Sequence, residues 1–306
     1  MKKMSRREFL INGGKLSLAY LGLSVLPKMN FLKSEVKVSG HGVPDLAIAK
    51  GGDPAINTLK AIEALGGIQR FVQENDKVAI KPNPITPTGP EIAANTNPLV
   101  VETVVKMCIQ AGAREVVVLS HDPLRSFEGN GIMEASTRAG GRVLAATSRD
   151  LYQSVPVLRG KILHEVEIVK DILDADVFIN IPIAKHHAGA TVTLSMKNLM
   201  GINWDRAYFH RNGLHQCIAD LSTAVKTDLI VMDANRILLT NGPNGPGQTS
   251  EEKTVIAGTD PVAIDTYSTT LLGRNPQDIA HIRFAYELGV GQIDLSKLDV
   301  KQIPVS

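Results

Sequence analysis

Between Asn180 and Trp204 the chain reads NIPIAKHHAGATVTLSMKNLMGINW, which gathers Lys185, His186, His187, Lys197 and Asn198 directly after the apolar run Val177 to Ile179. Lysine ammonium groups hold carboxylates and phosphates, and an imidazole with an ordinary pKa of about 6.5 takes and returns protons near neutrality. Two adjacent histidines on an extended segment point to opposite sides, so one is expected to face a site and the other to be structural or exposed. Lys197 is enclosed in sequence by Leu194, Met196, Leu199 and Met200. An ammonium among apolar neighbours requires an anionic partner. Two partners stay open: a protein carboxylate, or the carboxylate or phosphate of a ligand.

The same pattern, polar chemistry immediately after a buried run, recurs along the chain. Lys81-Pro82-Asn83 follows Val78 to Ile80, and Ser120-His121-Asp122 follows Val116 to Leu119. Asp233-Ala234-Asn235 follows Leu229 to Met232, and Gly258-Thr259-Asp260 follows Thr254 to Ala257. The runs are continuous and β-branched rather than alternating, which suits strands covered on both faces. Helical patterns fall between them: Pro98 to Ala111, Gly131 to Ala139, Leu214 to Val225, Pro261 to Leu272 and Pro276 to Leu288. Asn97-Pro98, Asp260-Pro261 and Asn275-Pro276 pair an N-cap with a first-turn proline, a structural use for those polar residues. The fold class expected is α/β, a mostly parallel central sheet with helices on both faces and a site at the carboxyl ends of the strands, where helix N-termini also point. Residues 36–306 are expected to form a single domain.

Composition narrows the function. The chain is 306 residues with 43% hydrophobic, 21% charged and 4% aromatic residues. The net charge is +2, but residues 1–30 contain six basic groups and one acid, so the remainder is mildly acidic at 2 − 5 = −3. That body has neither the basic footprint nor the stacking rings of a nucleic-acid binder. SRREFL, at Ser5 to Leu10, followed by the short apolar stretch Leu16 to Leu26, has the pattern of a twin-arginine signal. Residues 1–35 are therefore expected to be a signal segment and linker that engages the twin-arginine translocation machinery, cut between Pro27 and Ser39 or kept as a membrane tether. The location implied is periplasmic or otherwise extracytoplasmic. Two cysteines, Cys108 and Cys217, are too few to ligate an iron–sulfur cluster. Both sit on apolar helical faces as core residues, and the sequence does not place them within or beyond reach of a disulfide. No G-x-G-x-x-G follows a strand, which disfavours a dinucleotide-dependent dehydrogenase.

In order along the chain stand KPNP at Lys81, TNP at Thr96, DADVFINIP, the lysine–histidine segment with TLSMKNLMG, a histidine opening the helix before IADL, and GTDPVAID. With these motifs the chain resembles the domain-of-unknown-function 362 family over about residues 45 to 295. That resemblance implies no assigned activity. Some family members carry ferredoxin-type modules, which imply redox association, but this sequence lacks those cysteines.

The residues point first to an enzyme acting on a small anionic substrate. Lys81, Lys185 and Lys197 would hold the anion, Asn83 and Asn198 would orient it, and one of His186, His187 and His215 would be general acid or base, with Lys197 in the catalytic group. His121, Asp122 and Asp265, with a neighbouring imidazole, offer ligands to a divalent metal, at no diagnostic spacing. His210 and His215 flank Asn212-Gly213 at a helix start, where an imidazole can face a bound group. The Asn241 to Gln248 loop, NGPNGPGQ, reads as a surface loop. A non-catalytic exported metabolite- or metal-binding protein and an accessory protein of a redox system are the alternatives.

Overall fold

The computed structural model describes residues 43–306; the twin-arginine segment and its cleavage range lie outside the described residues. In chain order the elements are β1 (Leu46–Lys50), α1 (Pro54–Ala64), β2 (Lys77–Pro82), α2 (Pro98–Gln110), β3 (Glu115–Ser120), α3 (Leu124–Gly129), α4 (Ile132–Arg138), β4 (Arg142–Ala145), β5 (Tyr152–Pro156) and β6 (Glu165–Val169). They continue with α5 (Lys170–Leu173), β7 (Val177–Ile181), β8 (Ile183–His187), β9 (Thr191–Thr193), α6 (Ser195–Asn198), α7 (Arg206–Asn212) and α8 (Leu214–Ala224). The last are β10 (Leu229–Leu238), β11 (Thr249–Gly258), α9 (Pro261–Leu271), α10 (Ala280–Glu287) and β12 (Val300–Pro304).

The main sheet has the order β12-β1-β11-β10-β7-β2-β3-β4, with β8 and β9 branching from β10. Five neighbours, β10-β7-β2-β3-β4, are parallel throughout. β11 runs antiparallel to both β10 and β1. The α/β class with a mostly parallel sheet is therefore observed.

The unbroken apolar runs have the cause expected of them. Successive side chains of a strand point to opposite faces, and both faces of this sheet are covered. Val78, Ile80, Val177 and Ile179 join a core shared with α1 and α2, while Ala79, Phe178, Ile230 and Met232 join the opposite core with α8, α9 and α10. Cys108 lies in the first core and Cys217 in the second, both as free thiols, so the sheet itself keeps them from forming a disulfide. Caps fall where the sequence put them. Asn97 accepts from the Leu99 N–H at 2.9 Å, and Asp260 accepts from Val262 and Ala263 at 2.8 and 2.9 Å.

Three details differ from expectation. The helix predicted from Pro276 is split into a 3-10 turn, Pro276–Asp278, and α10. Because β11 is antiparallel, its end at Gly258 pairs with Ile230 near the start of β10, so Gly258-Thr259-Asp260 lies at the rim opposite the carboxyl ends of the parallel strands. Asp233-Ala234-Asn235 sits inside β10, which bulges between Ala234 and Arg236 and continues to Leu238. Asp233 is buried and accepts from the Asn97 N–H at 2.7 Å, tying β10 to the start of α2.

Candidate functional site

Three strand ends do converge. Lys81 pairs with Asn180 across β2 and β7, and Pro182 interrupts β7 so that the chain resumes as β8 along the extended β10. This carries Lys185 and His187 beyond the sheet rim, where α6 brings in Lys197 and Asn198. Helix α6 is one turn long and could not persist alone. It is held by Asp265 on α9, whose carboxylate oxygens accept from the Ser195 N–H at 2.7 Å and the Met196 N–H at 3.1 Å.

Asn198 is the hub. Its Oδ1 accepts from Asn83 Nδ2 at 2.9 Å and Lys81 Nζ at 3.3 Å, and its Nδ2 donates to Asn180 Oδ1 at 2.8 Å and to the Lys81 carbonyl at 3.3 Å. Asn83 Oδ1 accepts from Lys185 Nζ at 3.0 Å. The asparagines expected to orient a ligand therefore orient the lysines instead. Lys185 Nζ also donates to the carbonyls of Ala94 and, at 3.0 Å, Pro243. Burial pushes the Lys185 pKa well down, with Lys197 and Lys81 adding repulsion. Three oxygens about the nitrogen nevertheless match the three N–H bonds of an ammonium and not the two of a neutral amine. The site holds Lys185 as a structural cation.

A cleft of about 500 Å³ opens over this network. Lys81, Lys185, Lys197 and Arg206 line it, with Asp122 as the one carboxylate. Asp122 accepts from Ser120 Oγ at 2.6 Å and pairs with Arg206 Nη1 at 3.2 Å. Burial works against its charge, but Lys81, Arg206 and the Ser120 hydroxyl together hold its pKa below the usual value. Burial brings Lys81 down to about 7, Asp122 opposing and Arg206 and Lys197 assisting. Lys197 is brought to about 8 by burial and then by Arg206. Its Nζ has no hydrogen bond or ion pair among the described residues, while Lys81 and Lys185 both have oxygen acceptors. Gly201 makes room for the group, since a Cβ there would lie 2.5 Å from Lys81 Cε and 2.8 Å from its Nζ.

His187 also lines the cleft. Its Nδ1 accepts from the Gly189 and Ala190 N–H groups at 3.0 and 3.1 Å, which places the ring proton on Nε2. Burial, with Lys197 and Lys185 nearby, lowers its pKa to about 3, so the ring is neutral at physiological pH.

The other expected residues lie elsewhere. His186 turns away, its Nδ1 accepting from the Gly242 N–H at 3.0 Å. His215 stacks on the buried His281, with the two Nδ1 atoms 3.0 Å apart, outside the cleft lining. His121 bonds Tyr152 Oη through Nδ1 at 2.8 Å and packs against Trp204. Asp265 is the cap of α6. The trio His121, Asp122 and Asp265 is thus dispersed, and among the described residues no three His, Cys, Asp or Glu side chains are grouped to hold a metal ion. Arg206 escaped the sequence reading because it belongs to α7, which no apolar run announces. The glycine–proline loop also proves to be cleft wall through Pro243 and Asn244, and His210 belongs to the same lining. No helix among the described residues is long and apolar enough to cross a membrane.

Two solved structures are similar at low identity. The lactate racemase apoprotein of Thermoanaerobacterium thermosaccharolyticum matches at a TM-score of 0.44 and 14% identity over 81% of this chain and 57% of its own. A protein of Thermotoga maritima matches at 0.42 and 11% over 77% of this chain and 60% of its own. This chain therefore spans less than two thirds of either. A thylakoid-associated protein of Synechocystis is 28% identical over 250 residues, 75% of this chain and 73% of that protein. The model of the domain of unknown function DUF362 matches residues 78–270, which span every residue of the cleft, and the chain belongs to that family.

Proposed function

We propose that this protein is an enzyme whose cleft binds a small carboxylate or phosphate between Lys197, Arg206 and Lys81, with His187 offering its Nε2–H to a ligand oxygen. The observation that carries this reading is the charge of the cleft: four cationic side chains face one carboxylate, and Lys197 Nζ has no hydrogen bond or ion pair among the described residues. A cation withdrawn from water without a counter-charge is unfavourable, and a bound anion removes that penalty. Lys185 and the asparagines set the wall, and no step is assigned to a metal.

Isothermal titration with sulfate and with pyruvate tests the binding. The native protein is expected to bind at least one of them, and Lys197→Met to weaken that binding about tenfold or more, the loss of one charge-assisted hydrogen bond. Equal affinity in the variant refutes the role of Lys197. Turnover is read separately, by proton NMR of the added acid in deuterated solvent. Ser5 to Leu26 supports export of the folded domain through the twin-arginine route. The thylakoid association of the Synechocystis relative favours work at or beyond a membrane. Replacing Arg6 and Arg7 by lysine is expected to leave the protein in the cytoplasm; normal export of that variant would refute the signal.

A further inference from the structure

Resting on the anion-binding reading of the cleft, we propose that Lys197 joins the carbonyl carbon of a small 2-oxo acid as an imine. Of the three lysines, Lys81 and Lys185 have their nitrogens fixed by Asn198, Asn83 and main-chain carbonyls. Lys197 differs: among the described residues its nitrogen has no hydrogen-bond acceptor or ion-pair partner, Asp122 acting on it only at longer range. Its backbone is nonetheless fixed, because Asp265 caps α6 and the neighbouring Met196 and Leu199 are buried. A placed but untied amine in a cleft is what a nucleophile needs. The carboxylate of the acid has its own partners in the same cleft. Arg206 gives only Nη1 to Asp122, leaving its other donors, and Lys81 lies beside it.

The step is a condensation. The nitrogen lone pair attacks the carbonyl carbon, the carbonyl oxygen takes protons from the lysine nitrogen, and it departs as water. Starting from the ammonium, both hydrogens of that water come from Nζ, and the product is a protonated imine with one C–N double bond. No oxidant, reductant or metal enters the balance. The groups around Nζ are cationic Arg206, Lys81 and Lys185, anionic Asp122, and the imidazoles of His187, His210 and His281. Burial and then Arg206 bring Lys197 to about 8, with Asp122 opposing. At pH 7 that gives roughly 300 times more free amine than an ordinary lysine has.

Reductive trapping decides the matter. The purified protein is incubated with pyruvate and sodium cyanoborohydride, then analysed by intact mass and peptide mapping. One adduct per chain on Lys197 is expected, with a trapping rate that rises most steeply around pH 8. Propionate, which lacks the carbonyl, should give none, and neither should Lys197→Arg, which keeps the charge and whose retained sulfate binding shows that it folds. No adduct at Lys197, or equal labelling of surface lysines, overturns the imine while sulfate and propionate still bind. If none of these anions binds, the anion-binding reading falls as well, and the imine with it.

Discussion

Lys197→Met should make the ligand-free protein more stable at neutral pH. Lysine and methionine have similar length, and Leu199 and Met200 beside it are buried, so the variant keeps the packing. It leaves no acceptor without its donor among the described residues, where Lys197 Nζ makes no hydrogen bond. The fall in pKa from 10.5 to about 8 corresponds to roughly 3 kcal/mol against the charged form. Partial access to solvent reduces the part expressed as stability to about 1–2 kcal/mol. For a domain of this size that raises the melting temperature by about 2–6 °C. The pH dependence is the sharper test. Below pH 8 both folded and unfolded chains hold the proton and the penalty is fully present. Between 8 and 10.5 the unfolded chain still holds it while the folded chain does not, so native stability rises with pH relative to the variant. Urea unfolding of both proteins at pH 7 and 9.5 should show the gap closing. A variant less stable than native at pH 7, or a gap independent of pH, would refute the cost assigned to the buried Lys197 ammonium, and the argument that it holds an anion would fail.

Gly201→Ala should weaken sulfate binding about tenfold, because its Cβ displaces the end of Lys81, and should cost about 1–3 kcal/mol because that buried nitrogen is tied to Asn198; unchanged titration would show that Lys81 does not face the anion. Asp265→Ala orphans two buried N–H groups and should lower unfolding free energy by about 2–4 kcal/mol, with Asp265→Asn intermediate since one acceptor remains; a neutral result would contradict its role as cap. Sulfate affinity should fall as pH rises through 7 and 8, where Lys81 and Lys197 lose their protons, while His187 adds nothing because its ring is already neutral. An affinity unchanged between about pH 6 and 9 would mean that neither lysine holds the anion.

The sheet was legible because burial on both faces writes itself as unbroken β-branched runs, and Lys81, Asn83, Lys185 and Lys197 could be read as neighbours because each follows such a run. What failed to show was strand direction. Nothing in Thr254 to Ala257 distinguishes an antiparallel strand, so Asp260 was placed at the wrong rim. Asp265 was read as a metal ligand because a buried carboxylate looks alike whether its partners are ions or the N–H groups of a distant one-turn helix. Arg206 opens the short helix α7, which no apolar run announces, and the Asn241 to Gln248 loop reads as plain surface because glycine and proline mark a turn without saying what it covers. For the two histidines at 186 and 187 the alternation of an extended chain was informative: one faces the cleft and the other faces the loop.

Lys185 links three stretches of chain that are far apart in sequence: the turn after β2 through Asn83, the loop at Ala94 and the loop at Pro243. Moving any one of them outward would strip an enclosed ammonium of an oxygen it cannot replace. That wall of the cleft is therefore pinned by one nitrogen, and any change of shape on ligand entry falls to the segments that Lys185 does not hold.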